Sequence, residues 1–315
     1  MEPAVIAQGL TMAYGDNVVL DGIELEIPTG QVVALLGPNG AGKTTTVEIL
    51  EGFRKPSAGT VSVLGQRPDT APEAWRARVG VVLQSWRDHA TWRVRDLVDV
   101  MGTYYRPWST PETPRPWETD DILELVGLGP KSRSRIDSLS GGQRRRLDVA
   151  VGLVGRPELL FLDEPTTGLD PAGRRDIHDL IAGLRETNSQ RGTTILLTTH
   201  DLTEAEKLAD RLLILAGGRI VADGNPDELR HQLSRSSEVR LRDLTTGEVS
   251  VHHDPDPTAY LTRVLADRPG EVQVVEVRAS SLEDVYLDIV RDAAQGERHE
   301  PRPDQVGQPA AQESA

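Results

Sequence analysis

The sequence predicts an α/β fold built on a parallel sheet, followed by a small α+β module. Three observations carry this. Short continuous apolar runs recur at 31–37, 79–84, 158–163, 193–200 and 211–218, the pattern of strands buried on both faces. Helical stretches lie between them, near 43–51, 172–187 and 202–209. Strands that alternate with helices build a parallel sheet. After about residue 235 the pattern turns to alternating strands mixed with helices.

Taken in order, IELEI at 23–27 alternates and reads as a half-buried strand. QVVALLG at 31–37 reads as a buried central strand that stops at glycine. Residues 85–155 read as mainly helical, with helices near 94–105, 118–127 and 142–154. Between them PWSTPETPRPW (107–117) holds four prolines, which force a loop. Of the five tryptophans, Trp86, Trp92, Trp108 and Trp117 fall in this part, and only Trp75 lies outside it. Packing or capping of a small subdomain explains them better than a ligand-stacking site.

Residues 238–252 read as two strands around a glycine-containing turn, 256–267 as a helix and 271–277 as a strand. Residues 281–290 read as a helix capped by Ser281, with Asp284 at its third position. From 291 the chain is polar and nearly free of aliphatics, so disorder is expected. No 20–50-residue repeat is visible. The expected organisation is therefore a unit over 1–234 with a helical part at about 85–155, a module over 235–290 and a tail over 291–315.

Composition narrows the function classes. The 315 residues include 35 basic and 49 acidic ones, a net charge of −14. That balance argues against a general nucleic-acid binder, which carries a basic patch or stripe. There is no cysteine, so disulfides, thiolate metal sites and cysteine nucleophiles are excluded. No apolar run approaches the ~20 residues that span a bilayer. Residues 1–20 lack the basic start of a secretory signal. A soluble, cytoplasmic chain is the expectation.

The sharpest motif is Gly37-Pro38-Asn39-Gly40-Ala41-Gly42-Lys43-Thr44, followed by Thr45. It matches G-x-x-x-x-G-K-[ST], the phosphate-binding loop. Its glycines let successive N–H groups face phosphate oxygens, and the helix that follows offers its positive end to the same anions. Lys43 supplies a point charge and the Thr44 hydroxyl can ligate Mg²⁺. A glycine-rich strand-to-helix turn would give no reason to place one of only four lysines here.

LLFLDE (159–164) is a buried strand ending in two acids. Alone, such a pair would cap a helix or sit in solvent. Beside a phosphate loop, Asp163 is placed to hold Mg²⁺ and Glu164 to polarise the attacking water as general base. Leu139-Ser140-Gly141-Gly142-Gln143 comes next, ending twenty residues before Asp163. Two glycines after a serine at a helix start make another anion-binding terminus. Its bland reading is an N-cap, with Ser140 capping the helix over 142–154.

This set, LSGGQ between a phosphate loop and LLFLDEP, resembles the signature of the ATP-binding-cassette (ABC) family. Other positions match the family in order. Tyr14 resembles the aromatic that stacks on adenine, although a strand aromatic is its ordinary reading. Gln84, 41 residues after Lys43, resembles the glutamine that senses Mg²⁺ and the transmembrane partner. Gly168-Leu169-Asp170 resembles the D-loop. His200 resembles the switch histidine that contacts the γ-phosphate. The resemblance covers about residues 4–230. The wording after Gln84 (SWRDHATWRVRDL) and the proline-rich loop depart from the family, which bears on the partner contact and not on the ATPase.

The resemblance implies a P-loop NTPase fold, with a RecA-like parallel core, an antiparallel β subdomain and a helical subdomain. It implies ATP and Mg²⁺ as cofactors. It also implies a separate transmembrane permease and a head-to-tail pair of cassettes, either two copies or two different ATPases, at the cytoplasmic face of the membrane. Each site would take Lys43, Thr44, Asp163, Glu164, Gln84 and His200 from one chain, and Ser140 and Gly142 from the other. The module ending in SLEDVYL resembles that of daunorubicin-resistance-type exporters, with lipid, polysaccharide-precursor and sodium exporters as related branches. A non-transport ABC ATPase acting on nucleic acid or the ribosome, or a slow regulatory switch, are the competing readings. The first is opposed by the single cassette, the absence of cysteine and the acidic charge, the second by Glu164.

Overall fold

The computed structural model describes residues 2–84, 89–187, 193–233, 237–254, 256–279, 283 and 286. The chain opens with strands β1 (Val5–Tyr14) and β2 (Asn17–Ile27), joined by the two-residue turn Gly15-Asp16. Then come β3 (Val32–Leu36), helix α1 (Lys43–Leu50), β4 (Ala58–Val63), the short α2 (Glu73–Arg76) and β5 (Val79–Val82). A helical part follows, with α3 (Val94–Thr103), α4 (Thr119–Leu125) and α5 (Gly141–Leu153). The chain returns to the sheet with β6 (Leu159–Asp163), α6 (Pro171–Thr187), β7 (Thr194–Thr199), α7 (Leu202–Leu208), β8 (Arg211–Ala216) and β9 (Arg219–Gly224). Helix α8 (Pro226–Leu233) leads to β10 (Ser237–Asp243), β11 (Val249–Asp254), α9 (Pro257–Asp267) and β12 (Val272–Ala279).

Among the described residues the central sheet runs β5-β6-β7-β3-β8-β9. Its pairs are parallel except the last. The expectation of a parallel sheet therefore needs one correction. The β8–β9 edge is an antiparallel hairpin turned by Gly217-Gly218, both at positive φ, which suits a tight two-residue hairpin turn.

The apolar runs are continuous because both faces of this sheet are covered. Val32, Ala34 and Leu36 of β3 face the helices of the 94–208 stretch. Val33 and Leu35 face the other way, onto α1 and a second, antiparallel sheet ordered β2-β1-β4. Phe161 and Leu160 split the same way on β6. Each of these side chains larger than alanine contributes about 1.5–3 kcal/mol on full burial.

Of the tryptophans in the helical part, Trp117 takes the predicted packing role. Trp75 is buried and its indole N–H donates to the Val63 carbonyl at 2.7 Å. Trp117 packs on the helical core under the Arg156 guanidinium, 4.1 Å from the ring centre. Trp92 is 37% exposed, and Trp86 lies outside the described residues.

The last sheet, β11-β10-β12, is antiparallel, and its small core is Val239, Leu241 and Val272 under Tyr260, Leu261 and Val264 of α9. Tyr286 does not join that core. It is buried in the cluster shared by the central sheet and the helices, so the chain returns to the first unit after β12. Ser281, Asp284 and the 291–315 tail lie outside the described residues.

Candidate active site

The phosphate-loop residues span the turn from β3 to α1. Gly42 takes φ 103°, and a Cβ there would sit 2.5 Å from the Leu20 side chain, so only glycine fits. Gly42 is also the N-cap of α1 and offers no capping side chain. The first-turn amides of α1 are left facing the cleft with the positive end of the helix behind them. The Lys43 amine is buried and donates to the carbonyls of Gly37 at 2.9 Å and Pro38 at 3.2 Å. Burial lowers its pKa, against the pull of Glu164 and Asp163. These contacts hold it at the cleft floor, 3.9 Å from Glu164 Oε1.

The cleft, of about 650 Å³, is lined by Asn39, Gly40, Gly42, Lys43, Thr44 and Thr45 on one side, with Val19 at its rim. Gln84, Glu164, Thr167 and His200 complete it. Gly37, Pro38 and Ala41 are not among the residues that line it. The strand order puts β3 beside β7 and β7 beside β6, so all these groups meet at the C-terminal strand ends.

Glu164 is the hub. Its backbone sits at φ 42°, a strained setting for a residue with a side chain. Its N–H donates to Thr198 Oγ1 at 3.0 Å, and that hydroxyl donates to Asp163 Oδ1 at 2.6 Å. The Gln84 amide donates to Glu164 Oε2 at 3.1 Å, and Thr167 Oγ1 donates to the same oxygen at 2.9 Å. His200 Nδ1 lies 3.5 Å from Oε1. Sequence reasoning missed Thr167 and Thr198. The only available signal was their place, three residues after one acid and two before the histidine.

A divalent cation fits this donor set. Asp163, Thr44 and the Gln84 amide oxygen are hard oxygen ligands of the kind Mg²⁺ takes. With its nitrogen turned to Glu164, Gln84 keeps that oxygen available. Among the described residues no group of three or more His, Asp or Glu could hold a metal unaided. A cation here would complete its shell with phosphate oxygens or water.

The signature residues are elsewhere. Ser140, Gly141, Gly142 and Gln143 line a second cavity with Gly168, Asp170 and Gly173, and none of these lines the first. Ser140 and Gln143 form a reciprocal cap on α5, with Gln143 N–H donating to Ser140 Oγ at 3.3 Å and Ser140 N–H donating to Gln143 Oε1 at 3.1 Å. The capping role is therefore real, and it leaves the Gly141 and Gly142 amides pointing out of the helix start. A Cβ on Gly142 would lie 3.0 Å from Gly173 Cα, so glycine lets the starts of α5 and α6 meet. Asp170 Oδ1 accepts from Gly173 N–H at 2.8 Å.

Tyr14 lies at the end of β1, 43% exposed, with the Arg54 guanidinium 5.2 Å from its ring centre. It is not among the residues lining the cleft. Behind His200, a buried Glu204 accepts from Thr166 and Thr199 hydroxyls, both at 2.6 Å, and lies 3.3 Å from His178 Nε2. This network ties the segment after β6 to the end of β7.

Comparison with known proteins agrees with this geometry. A family profile described as ABC transporter matches residues 20–167. The chain is 35% identical to the daunorubicin/doxorubicin resistance ATP-binding protein DrrA of Streptomyces peucetius, over 90% of this chain and 91% of that one. It is 43% identical to the Nod factor export ATP-binding protein I of Cupriavidus metallidurans, over 88% of this chain and 93% of that one. Among solved structures, CbiO1 of Clostridium perfringens, part of an ABC transporter complex, superposes with a TM-score of 0.62 at 29% identity, covering 74% of this chain and 92% of that one. An ATP-binding cassette solved as a dimer in a post-hydrolysis state with ADP and phosphate gives 0.60 at 25% identity, over 70% and 98%.

Proposed function

The chain belongs to the ABC transporter family as an ATP-hydrolysing subunit, and from that premise we propose that it drives export of a small organic compound through a separate transmembrane subunit. No helix among the described residues is long and apolar enough to cross a membrane. The relatives named for drug resistance and for Nod factor export favour export. The net charge of −14 argues against action on nucleic acid. The chain would act at the cytoplasmic face, bound to its permease.

The observation that carries this reading is the split of the motif residues between two separate cavities of one chain. One face holds Lys43, Gln84, Glu164 and His200. The other holds the Ser140–Gln143 helix start and the loop at Asp170. ATP would lie on the first face, with its phosphates on the loop amides and Lys43. Lys43 would exchange the carbonyls of Gly37 and Pro38 for phosphate oxygens. Thr44, Asp163 and Gln84 would hold Mg²⁺, which would supply charge neutralisation at the phosphates. Glu164, set by Gln84 and Thr167, takes a proton from the attacking water, and His200 meets the γ-phosphate. The products are ADP and phosphate. A second cassette closes the site with its own Ser140 and Gly142. Contacts made only in the closed state turn ATP binding into rigid-body closure, and hydrolysis reverses it.

The test is purification of the chain from detergent-extracted membranes, with ATP turnover measured on the material obtained. The expected outcome is an associated multi-spanning membrane protein and turnover that falls about 10²–10⁴-fold in Glu164→Gln, the size of a general-base contribution. Association with ribosomes or nucleic acid instead would refute the transport reading.

A further inference from the structure

Arg145 is buried on α5, with 6% of its surface exposed. Among the described residues, its hydrogen-bond partners are backbone carbonyls rather than carboxylates. Nε donates to the Pro165 carbonyl at 2.8 Å, Nη2 to the Asp163 carbonyl at 2.8 Å and Nη1 to the Leu83 carbonyl. Leu83 immediately precedes Gln84, and Asp163 and Pro165 are the two neighbours of Glu164. One planar guanidinium therefore fixes the backbone on both sides of Glu164 and next to Gln84. Burial drives the pKa of this group down, opposed by the fields of Asp148, Asp163 and Glu204. A buried cation is a poor way to stabilise a fold, because apolar residues of similar volume do as well or better. The rigid fork of arginine does what an apolar side chain cannot: it holds three carbonyls at set distances.

We propose that Arg145 is a positioning residue for hydrolysis, holding the ends of β5 and β6 so that Gln84 and Glu164 keep the 3.1 Å contact that aims the Glu164 carboxylate. This rests on the reading of Glu164 as the water-polarising base. Helix α5 begins at the Ser140 cap, so one helix carries the signature start toward a partner's nucleotide and Arg145 into its own chain's site. Closure over the partner's ATP would move the Gln84–Glu164 pair through this side chain.

The experiment compares Arg145→Gln and Arg145→Lys with the wild-type chain for ATP affinity, turnover and melting temperature. Arg145→Gln is expected to bind ATP within about threefold of wild type and to lose about 10²-fold in kcat, the scale of a displacement near 1 Å. Arg145→Lys, with one donor head in place of a fork, recovers part of the loss. Adding Arg145→Gln to Gln84→Ala costs less than the product of the single effects, because both act on one contact. Wild-type kcat in Arg145→Gln, loss of affinity in proportion to kcat, full additivity with Gln84→Ala, or failure of both Arg145 variants to fold would each overturn the proposal. Wild-type turnover in Glu164→Gln would strike the general-base reading instead, and the Gln84 double mutant would still report on Arg145.

Discussion

The two faces of the chain differ in kind. The strand-end face gathers a buried ammonium, an amide, a hydroxyl and an imidazole around the two oxygens of the Glu164 carboxylate, but lies open as a cleft. The signature face gathers helix-start amides and a serine hydroxyl, and its acids are already engaged. Asp170 caps α6, and Asp176 lies 3.5 Å from Arg146. One face presents titratable groups, and the other presents helix-start amides and a hydroxyl. In the proposed head-to-tail pair each would complete the other.

The variant that breaks this contrast most severely is Lys43→Ala. The Lys43 ammonium is the only buried cation among the described residues that line the cleft. Its loss is expected to weaken ATP binding by about 10²-fold or more, since hydrogen bonds to charged groups contribute about 1.5–3 kcal/mol each. Titration calorimetry measures this. Lys43 is buried and donates to the Gly37 and Pro38 carbonyls, so the fold should survive with a shifted melting temperature in the absence of nucleotide.

Legibility in the sequence followed the same division. The phosphate loop, Asp163, Glu164 and His200 were readable because each chemistry falls at the end of an apolar strand run, and the sheet brings strand ends together. The central strands were readable because both faces of the sheet are covered. The β9 edge was not, because a Gly-Gly hairpin can continue a sheet or leave it, and local pattern does not decide which. Thr167, Thr198 and Arg145 were hidden for a related reason. Their importance comes from partners 3 to 62 positions away, such as Leu83 for Arg145 and Asp163 for Thr198. In sequence, Arg145 is one of three consecutive arginines, and only the packing of α5 singles out the buried one.

A smaller effect sharpens the comparison from behind the first face. Glu51, at the end of α1, is pushed up to about 8 by burial, with Asp163 and then Glu48 adding to the rise. The ordinary value is 4.5, so the folded chain holds this proton more tightly than the unfolded one. The penalty is absent below about pH 4.5, grows as the pH rises and is complete above about pH 8. Glu51→Gln is therefore expected to raise the melting temperature of the nucleotide- and Mg²⁺-free protein at pH 8.5 by at least ~2 °C and to change it little at pH 4.5. Scanning calorimetry at the two values reads the difference. No shift of this size is expected from a neutral substitution on the signature face.

The claim that one site is divided between two chains is tested most directly by mixing two inactive variants, Lys43→Ala and Ser140→Arg. Alone, each forms only damaged sites. In a head-to-tail pair of the two, one site carries both defects and the other carries neither, because Lys43 and Ser140 line separate faces of the chain. With the membrane partner present, the mixture is expected to regain ATP turnover that neither variant shows by itself. Turnover that stays at the sum of the separate variants across all mixing ratios would contradict the divided site.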